Sequence, residues 1–236
     1  MVTTSWDDGH RLDLRLAEEL ARFGVAGTFY VAPRSAELSP RDRLRPHDVR
    51  ELSQRFEVGS HTLTHPVLTR LGRAEARREI TDGRDAVEDL VGHPVGGFCY
   101  PYGAFRAEHV TMVRDAGFLT GRTIRRYRTS PSADPLRMAT TVHAASYRRD
   151  LWPVLRRSRG PARFQDLRAN WDALARALFE EARAGGGHFH LWGHSWEIEA
   201  NGDWDRLRSL LAFLAGQDDV EFVANGALAP AMTEGV

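Results

Sequence analysis

The 236-residue chain has no lysine, a single cysteine and no long apolar run. With Cys99 alone, an intramolecular disulfide framework and a four-cysteine zinc site are both excluded. No apolar stretch approaches the roughly eighteen residues of a membrane-spanning helix, so we predict no transmembrane segment. The first ten residues lack the basic and apolar regions of a signal peptide, and we therefore expect a cytoplasmic protein.

The chain as a whole carries no net charge. All 32 basic residues are arginine, and they balance 32 acidic residues. A dedicated nucleic-acid binder usually carries a large net positive charge, so we do not expect a nucleic acid as the partner. A small-molecule or oligosaccharide ligand is compatible with this composition.

Short apolar or β-branched runs alternate along the chain with amphipathic stretches of helical length. The pattern predicts strands at 2–6, 28–32, 57–60, 95–100, 118–124, 188–192 and 220–223. It predicts helices at 12–23, 46–56, 73–91, 106–116, 163–184 and 204–215. Such alternation is typical of a parallel α/β sheet or barrel around one core, so we predict a single domain over residues 1–236.

Residues 125–163 do not fit this alternation and are predicted to form an insertion over one mouth of the fold. The stretch holds ten arginines against Asp134 and Asp150, a local charge of about +8. A positive rim of this kind would steer anionic ligands into the mouth, or would contact an anionic membrane surface.

Polar side chains follow several predicted strands, at the end where α/β folds place their catalytic residues. Asp7 and Asp8 follow the first strand, His61 and His65 follow the third, and His194 follows the strand at 188–192. One carboxylate and two imidazoles are the three protein ligands of a catalytic divalent metal site. The second carboxylate is then available as a base, and a histidine can donate a proton near neutral pH.

His61 and His65 can share an ion only if the backbone brings their rings together. In an extended strand they would lie about 13 Å apart, whereas a helical turn puts residues four apart on one face. We therefore expect a helical turn that ends at His65, because Pro66 disfavours the helical conformation of the residue before it. A capped surface turn without a metal is the alternative for this pair.

Four segments together resemble the motifs of the polysaccharide deacetylase superfamily, also known as the NodB homology domain or carbohydrate esterase family 4. The segments are SWDDG, GSHTLTHP, CYPYG and WGHSWE. The resemblance implies a distorted (β/α)7 barrel and metal-dependent hydrolysis of an acetamide or related amide. It also implies residue roles: Asp7 as general base, Asp8, His61 and His65 as metal ligands, His194 as general acid, and the Tyr102 amide as an oxyanion contact.

The sequence departs from the family pattern in two places. Many members have, at the position of Cys99, an arginine that orients the base, and we predict that Arg122 replaces it. The fourth motif's Asp-Trp pair is not found. In the last motif we favour His194 over His190, which we expect to be a buried strand residue. Trp196 is a candidate for stacking on the substrate because of its loop position.

These observations lead to one main expectation and three alternatives. We expect a hydrolase that contains zinc, or else cobalt, nickel or iron, and that removes the acetyl group from a soluble acetamido sugar. The alternatives are hydrolysis of a cyclic amide such as an imide or allantoin, a non-catalytic barrel, and a membrane-surface role for residues 125–163. Cys99 is expected to be a small buried hydrophobic residue.

Overall fold

The computed structural model describes residues 1–146, 151–158 and 160–229, so Arg148, Arg149, Asp150 and Arg159 of the predicted insertion lie outside the described residues. Within the described part, seven strands were identified: β1 (Val2–Trp6), β2 (Thr28–Val31), β3 (Glu57–Ser60), β4 (Gly97–Cys99), β5 (Thr120–Arg122), β6 (Val142–His143) and β7 (Phe189–Gly193). They form one sheet in the order β5-β4-β3-β2-β1-β7-β6, and every pair is parallel.

Helices connect the strands and cover the sheet. They are α1 (Asp13–Arg22), α2 (Pro46–Ser53), α3 (Arg73–Val91), α4 (Ala107–Asp115), α5 (Leu151–Arg157), α6 (Pro161–Ala169), α7 (Trp171–Ala184), α8 (Ser195–Asn201) and α9 (Trp204–Ala215). The apolar faces of α1 and α3 are buried, as Leu16, Leu20 and Ile80 illustrate, whereas α5 exposes Leu151, Trp152 and Leu155. No helix among the described residues is both long and apolar enough to cross a bilayer.

The predicted fold class is confirmed, because a parallel seven-stranded sheet with helices curls into a distorted barrel. In the described part of the chain, no ladder joins the two edge strands β5 and β6. Instead, Met138 forms an isolated bridge with Arg122, and Thr123 N–H donates to the Met138 carbonyl at 2.8 Å. Since all strands are parallel, their carboxyl ends lie at one edge, where the loops that follow them meet.

Several predicted elements match the structure, and two do not. The strand at 2–6 and the helices at 73–91 and 204–215 have the predicted bounds. The predicted helix at 163–184 is wrong as one element, because Asn170 is extended and separates α6 from α7. The predicted strand at 220–223 is also wrong, since only Phe222 bridges to Val2. All five residues of β1 pair with β7, and Ser5 and Trp6 also pair with β2.

The seventh strand comes from the segment that the sequence predicts to be an insertion. Val142 and His143 form β6 and pair with Leu191 and Trp192 of β7. The prediction of an irregular insertion over residues 125–163 is therefore wrong for Val142 and His143, which belong to the sheet. Helix α5 also lies within the predicted insertion. A strand of two residues is too short to produce an alternating pattern that the sequence can reveal.

Candidate active site

The loop after β1 presents two adjacent carboxylates in different directions. Asp8 and Gly9 both have a positive φ, of 82° and 71°. A Cβ atom on Gly9 would lie 2.8 Å from Val31 Cγ1, so the turn requires glycine there. Asp7 N–H continues the ladder by donating to the Gly193 carbonyl at 3.1 Å, which brings the loops after β1 and β7 together.

The loop after β3 brings His61 and His65 together without a helical turn, so the predicted helical turn is wrong. Thr62 and His65 have φ values of 66° and 64°, and these two left-handed residues fold the loop back on itself. Glu79 of α3 holds the loop, because its Oε2 accepts the backbone N–H groups of Leu63 at 3.1 Å and Thr64 at 2.9 Å. The observed geometry at His65 agrees with the expectation that Pro66 excludes the right-handed helical conformation.

Asp8, His61 and His65 form a buried cluster whose ligand atoms face one another. The two Nε2 atoms are 3.1 Å apart, and Asp8 Oδ1 lies 3.4 Å from His65 Nε2 and 3.8 Å from His61 Nε2. Metal–ligand bonds of about 2.0–2.1 Å separate neighbouring ligands by about 3.3 Å, which is close to this spacing. Asp8 Oδ1 is buried without a hydrogen-bond partner, as expected for an atom whose partner is an ion.

The ring orientations and charge states suit metal ligation. His61 Nδ1 lies 2.8 Å from the Cys99 carbonyl oxygen, and only an N–H on Nδ1 satisfies this contact, which leaves Nε2 as the free lone pair. Burial and the neighbouring His65 lower the pKa of His61 to about 4, so its ring is neutral. Two imidazoles and a carboxylate form a donor set that suits zinc, and also cobalt, nickel or iron. The residues present therefore fit a divalent transition metal.

Arg122 at the end of β5 contacts Asp7, as the sequence predicts. The Nη2 group of Arg122 donates to Asp7 Oδ1, and both side chains are almost completely buried. Burial raises the pKa of Asp7, but the charge of Arg122 and then those of nearby histidines lower it to about 2. Asp7 is therefore an ionised carboxylate beside the cluster of Asp8, His61 and His65, and a charge-assisted hydrogen bond holds it in one orientation.

His194 lies on the other side of Asp8, where β7 passes into α8. Its Nε2 atom is 3.9 Å from Asp8 Oδ2, and its Nδ1 atom is 2.5 Å from Glu197 Oε2. Burial lowers the pKa of His194, but Glu197 and the two aspartates raise it to about 9. His194 is therefore a protonated imidazole that faces the cluster, whereas the alternative His190 is completely buried within β7.

Trp196 and Tyr102 lie at the rim of the cluster. Trp196 Nε1 donates to Asp8 Oδ2 at 2.9 Å, and 38% of the residue is exposed. The Tyr102 ring lies 4.8 Å from the His65 ring, centroid to centroid. The tyrosine backbone is left-handed, with a φ of 56°, in the short turn after β4. Every residue that the sequence predicts for the site thus lies at one mouth of the barrel.

A family profile and the sequence motifs agree on the family. The profile described as polysaccharide deacetylase matches residues 1–121, just over half of the chain. The chain belongs to the polysaccharide deacetylase family. It is similar to the peptidoglycan-N-acetylmuramic acid deacetylase PdaC of Bacillus subtilis, with 28% identity over 110 residues. That match covers 46% of this chain and 22% of PdaC, so the chain spans about a fifth of this relative's length.

Solved structures share the fold over almost the whole chain. A Mycobacterium smegmatis protein, also assigned to the polysaccharide deacetylases, has a TM-score of 0.72 at 19% identity and covers 99% of this chain and 90% of its own. A carbohydrate esterase family 4 pseudoenzyme from Bacillus anthracis has a TM-score of 0.59 at 19% identity, over 95% of this chain and 62% of its own. The structural relatives thus include a protein described as a pseudoenzyme. The shared fold therefore does not establish by itself that this chain is catalytic.

Three residues at the site were not predicted from the sequence: Glu197, His143 and Glu37. Glu197 contacts His194, and its Oε2 also lies 3.1 Å from Nε2 of the buried His143. Glu37 lies 2.9 Å from His65 Nδ1 and accepts the Tyr102 hydroxyl. Glu197 occurs three residues after His194, and this spacing of about one helical turn could have predicted that the two side chains are neighbours. Glu37 lies in an irregular loop, and no signal in the sequence connects it to His65.

Cys99 is buried, as expected, but it is also part of the site. Its Sγ atom lies 3.8 Å from Asp7 Oδ2 and 4.0 Å from His61 Nε2. Burial raises the pKa of the thiol well above its ordinary value, so Cys99 is protonated. A thiol in this state is a weak metal ligand, so Cys99 does not add to the donor set of Asp8, His61 and His65.

Proposed function

We propose that this chain is a metal-dependent hydrolase that removes the acetyl group from a soluble acetamido sugar, releasing acetate and a free amine. The observation that supports this function most is the unpartnered Asp8 Oδ1, which faces two imidazole Nε2 atoms beside an ionised second carboxylate. The family supports deacetylation as the reaction class. The cytoplasmic location and the choice of metal stay predictions.

Asp8, His61 and His65 would hold the metal, and zinc suits this donor set best. When bound, a divalent ion supplies Lewis acidity, which polarises the acetyl carbonyl and lowers the pKa of water. The hydrogen bond to the Cys99 carbonyl orients His61 for this role, because it directs Nε2 at the cluster. Behind His65, Glu37 Oε2 lies 2.9 Å from Nδ1.

Asp7 is the proposed general base. The Arg122 contact occupies Oδ1, whereas Oδ2 has only the weak contact of the Cys99 thiol at 3.8 Å and is the oxygen proposed to accept a proton from the attacking water. Because Arg122 keeps the Asp7 carboxylate ionised, the base is present in its active form over the whole physiological pH range. Arg122 is a positioning residue, since it acts through Asp7 and is itself completely buried.

His194 is the proposed general acid. An amine leaves slowly unless its nitrogen is protonated, and the protonated His194 faces the cluster with its Nε2 atom 3.9 Å from Asp8 Oδ2. Glu197 accepts the Nδ1 proton of His194, so the Nε2 proton is the one available to the leaving nitrogen. The Tyr102 backbone N–H is the proposed donor to the oxyanion, and Trp196 is the proposed rim contact for the sugar ring.

The test is acetate release from N,N′-diacetylchitobiose by protein that has been loaded with zinc or cobalt. Wild-type protein should release acetate, and Asp7→Asn should bind the metal but lose about 10²–10⁴-fold in turnover. Arg78→Gln, which changes an exposed residue of α3, is the matched control. Succinimide and allantoin are assayed in parallel. If the protein opened these cyclic amides and released no acetate, it would be a cyclic-amide hydrolase and not a deacetylase. If it turned over neither class of substrate, the proposal that the chain is an enzyme would be contradicted.

A further inference from the structure

Helix α5 presents an apolar stripe to solvent, whereas α1 and α3 bury theirs. Trp152 is 73% exposed, Leu155 50% and Leu151 45%. Because each residue of a helix advances by about 100°, these three side chains lie within an arc of about 100° on one side of α5. Val154 lies outside this arc and is completely buried in the core. We call the surface formed by Leu151, Trp152 and Leu155 the α5 stripe.

The α5 stripe differs from the other exposed apolar residues in the described part of the chain. Met1, Leu119 and Ile124 are exposed singly, and isolated apolar side chains are normal on a protein surface. Tyr102 and Trp196 are exposed at the rim of the candidate active site. A contiguous group of three on one short helix, away from any proposed substrate contact, is instead typical of a surface that binds a partner.

Positive charge surrounds the α5 stripe. Residues 148–159 contain five arginines and a single acidic residue. One of these arginines, Arg157, is compensated by Glu181 at 2.7 Å. Arg156 is exposed, and the helical rotation places it about 40° beyond Trp152, at the edge of the stripe. The other three arginines precede or follow α5 by no more than three residues in the sequence, so the segment keeps an excess of positive charge beside its apolar side chains.

An anionic membrane surface is the partner that fits this combination. Helices that lie in the membrane interface insert tryptophan and leucine at the boundary between headgroups and acyl chains, and their arginines contact anionic headgroups. Tryptophan is enriched at this boundary because its ring is apolar and its N–H is polar. A second copy of the chain fits less well, because a stable interface needs about 20–30 residues from each side and α5 has seven.

We propose that α5 docks the protein on an anionic membrane surface. The α5 stripe enters the interface, and the surrounding arginines contact the lipid phosphates. Docking is peripheral and reversible, because a helix of seven residues inserts little apolar area. This inference goes beyond the proposed function and uses no residue of the candidate active site. It assigns the membrane role that the sequence leaves open for residues 125–163 to one helix.

The experiment measures co-sedimentation of the protein with phosphatidylglycerol vesicles and with phosphatidylcholine vesicles, at low and high salt. Trp152→Ser and Leu155→Ser test the stripe, and Arg156→Gln tests the charge. Leu119→Ser, which changes a single exposed apolar residue elsewhere, and Arg78→Gln are the matched controls. All five side chains are exposed, so these substitutions should leave folding intact, and circular dichroism checks this. Tryptophan emission of wild type and Trp152→Phe, compared with and without vesicles, reports insertion of the Trp152 ring.

Wild-type protein should bind phosphatidylglycerol vesicles far more strongly than phosphatidylcholine vesicles. Trp152→Ser and Leu155→Ser should each lower the partition coefficient at least about tenfold, because each removes an inserted apolar side chain. Arg156→Gln should lower it about fivefold at low salt and less at high salt. Both controls should bind like wild type. Emission should shift to shorter wavelength on binding, and Trp152→Phe should lack most of this shift.

The inference would be overturned if wild-type protein bound neither kind of vesicle, or if the controls lost as much binding as the α5 variants. It would also be overturned if Trp152→Ser dissociated a dimer seen by sedimentation of the wild-type protein that binds no vesicles, since the stripe would then join two copies. Vesicle binding needs no turnover, so a protein that released no acetate but showed Trp152-dependent binding would overturn the proposed function and leave this inference supported.

Discussion

Arg122 and Glu197 are charged side chains that act on the site through another residue. Each is buried or half-buried against its partner, Asp7 for Arg122 and His194 for Glu197. Removing one member of a buried pair leaves the other charge without compensation, which is costly in a poorly solvated site. Changes at these positions are therefore tested with substitutions that keep the side-chain shape.

The two adjacent aspartates should respond differently to substitution. Asp8→Ala removes one of three ligands and should lower metal affinity by at least about 10²-fold, because two imidazoles alone form a weak site. Asp7→Asn keeps the shape but cannot accept a proton, so metal binding should persist. Metal content after dialysis, measured by atomic emission, checks this expectation. Full metal stoichiometry in Asp8→Ala would place the metal elsewhere.

Glu197→Gln should lower the rate of amide hydrolysis by about 10–100-fold. The amide oxygen of glutamine accepts the Nδ1 proton more weakly than a carboxylate does, so His194 is less well oriented and less readily protonated. The rate of hydrolysis of an activated ester, whose leaving group needs no proton, should fall much less. Glu199→Gln, a half-exposed glutamate of the same helix that contacts Arg15, is the control. Equal losses for amide and ester would remove Glu197 from this role.

At the scale of elements, α3 determines the shape of the loop that carries the proposed ligands His61 and His65. Glu79 accepts two backbone N–H groups of that loop. Four residues later, a Cβ atom on Gly83 would lie 2.5 Å from the Thr62 carbonyl carbon and 2.6 Å from Leu63 N. The absence of a side chain at Gly83 therefore lets the helix contact the backbone between His61 and His65.

Gly83→Ala should destabilise the protein by about 1–3 kcal/mol, because the added methyl group displaces the loop. It should also lower metal affinity, since the loop carries His61 and His65. Helix propensity alone predicts the opposite, a gain of up to about 1 kcal/mol. Gly72→Ala, where nothing lies within 4 Å of the added atom, should change stability by less than about 1 kcal/mol. Chemical denaturation and metal titration of both variants distinguish the two expectations.

The first turn of α2 provides a pH-dependent contribution to stability away from the site. Burial raises the pKa of Asp48, but hydrogen bonds from the side chain and backbone N–H of Arg45 lower it below its ordinary value. A lowered pKa in the folded state means that the carboxylate stabilises the fold above the unfolded pKa of about 3.9. This contribution is lost as the pH falls through the lower folded-state value.

Asp48→Ala should therefore lower the free energy of unfolding by about 1 kcal/mol at pH 7. The difference from wild type should shrink as the pH falls below about 3.9. Urea denaturation across this pH range measures the effect. Glu51→Ala, an exposed position on the same helix, should show no such pH-dependent difference. A constant difference at all pH values would mean that Asp48 contributes through packing and not through its charge.

For the whole molecule, the sheet order decides which loops can meet. The proposed metal ligands come from the loops after β1 and β3, which are separated in the sheet by β2 alone. The proposed acid follows β7, the other neighbour of β1. A metal would therefore connect two segments more than fifty residues apart, and its binding would stabilise the folded state over the unfolded chain.

Zinc at about 100 times its dissociation constant should raise the free energy of unfolding by about 2.7 kcal/mol. For a chain of this size, that corresponds to an increase in Tm of roughly 5–10 °C. Thermal unfolding monitored by circular dichroism, with and without a chelator, measures it. Asp8→Ala should not respond to zinc, and calcium should not replace zinc, because calcium prefers oxygen ligands. A zinc response that persists in Asp8→Ala would contradict the proposed ligand set.

The sequence by itself was sufficient to predict the fold class, the family and the location of the main site residues. Strand–helix alternation indicates parallel strands, and parallel strands bring residues such as Asp8, His61 and His194 to one edge. The contact of Arg122 with Asp7 could also be predicted, because Arg122 ends a strand at that same edge. These features depend on local periodicity and on position along a strand, and both can be inferred from the order of residues in the sequence.

Only the tertiary structure determined the contacts that depend on loop backbone and on long-range packing. The left-handed conformation of His65, the approach of Gly83, and the pairing of Glu37 with His65 all arise where irregular loops fold against other elements. The two-residue strand β6 exists because β7 offers it a free edge, and its own sequence pattern does not predict it. Such contacts join residues that are distant in sequence and follow no period, so they cannot be predicted from the order of the residues alone.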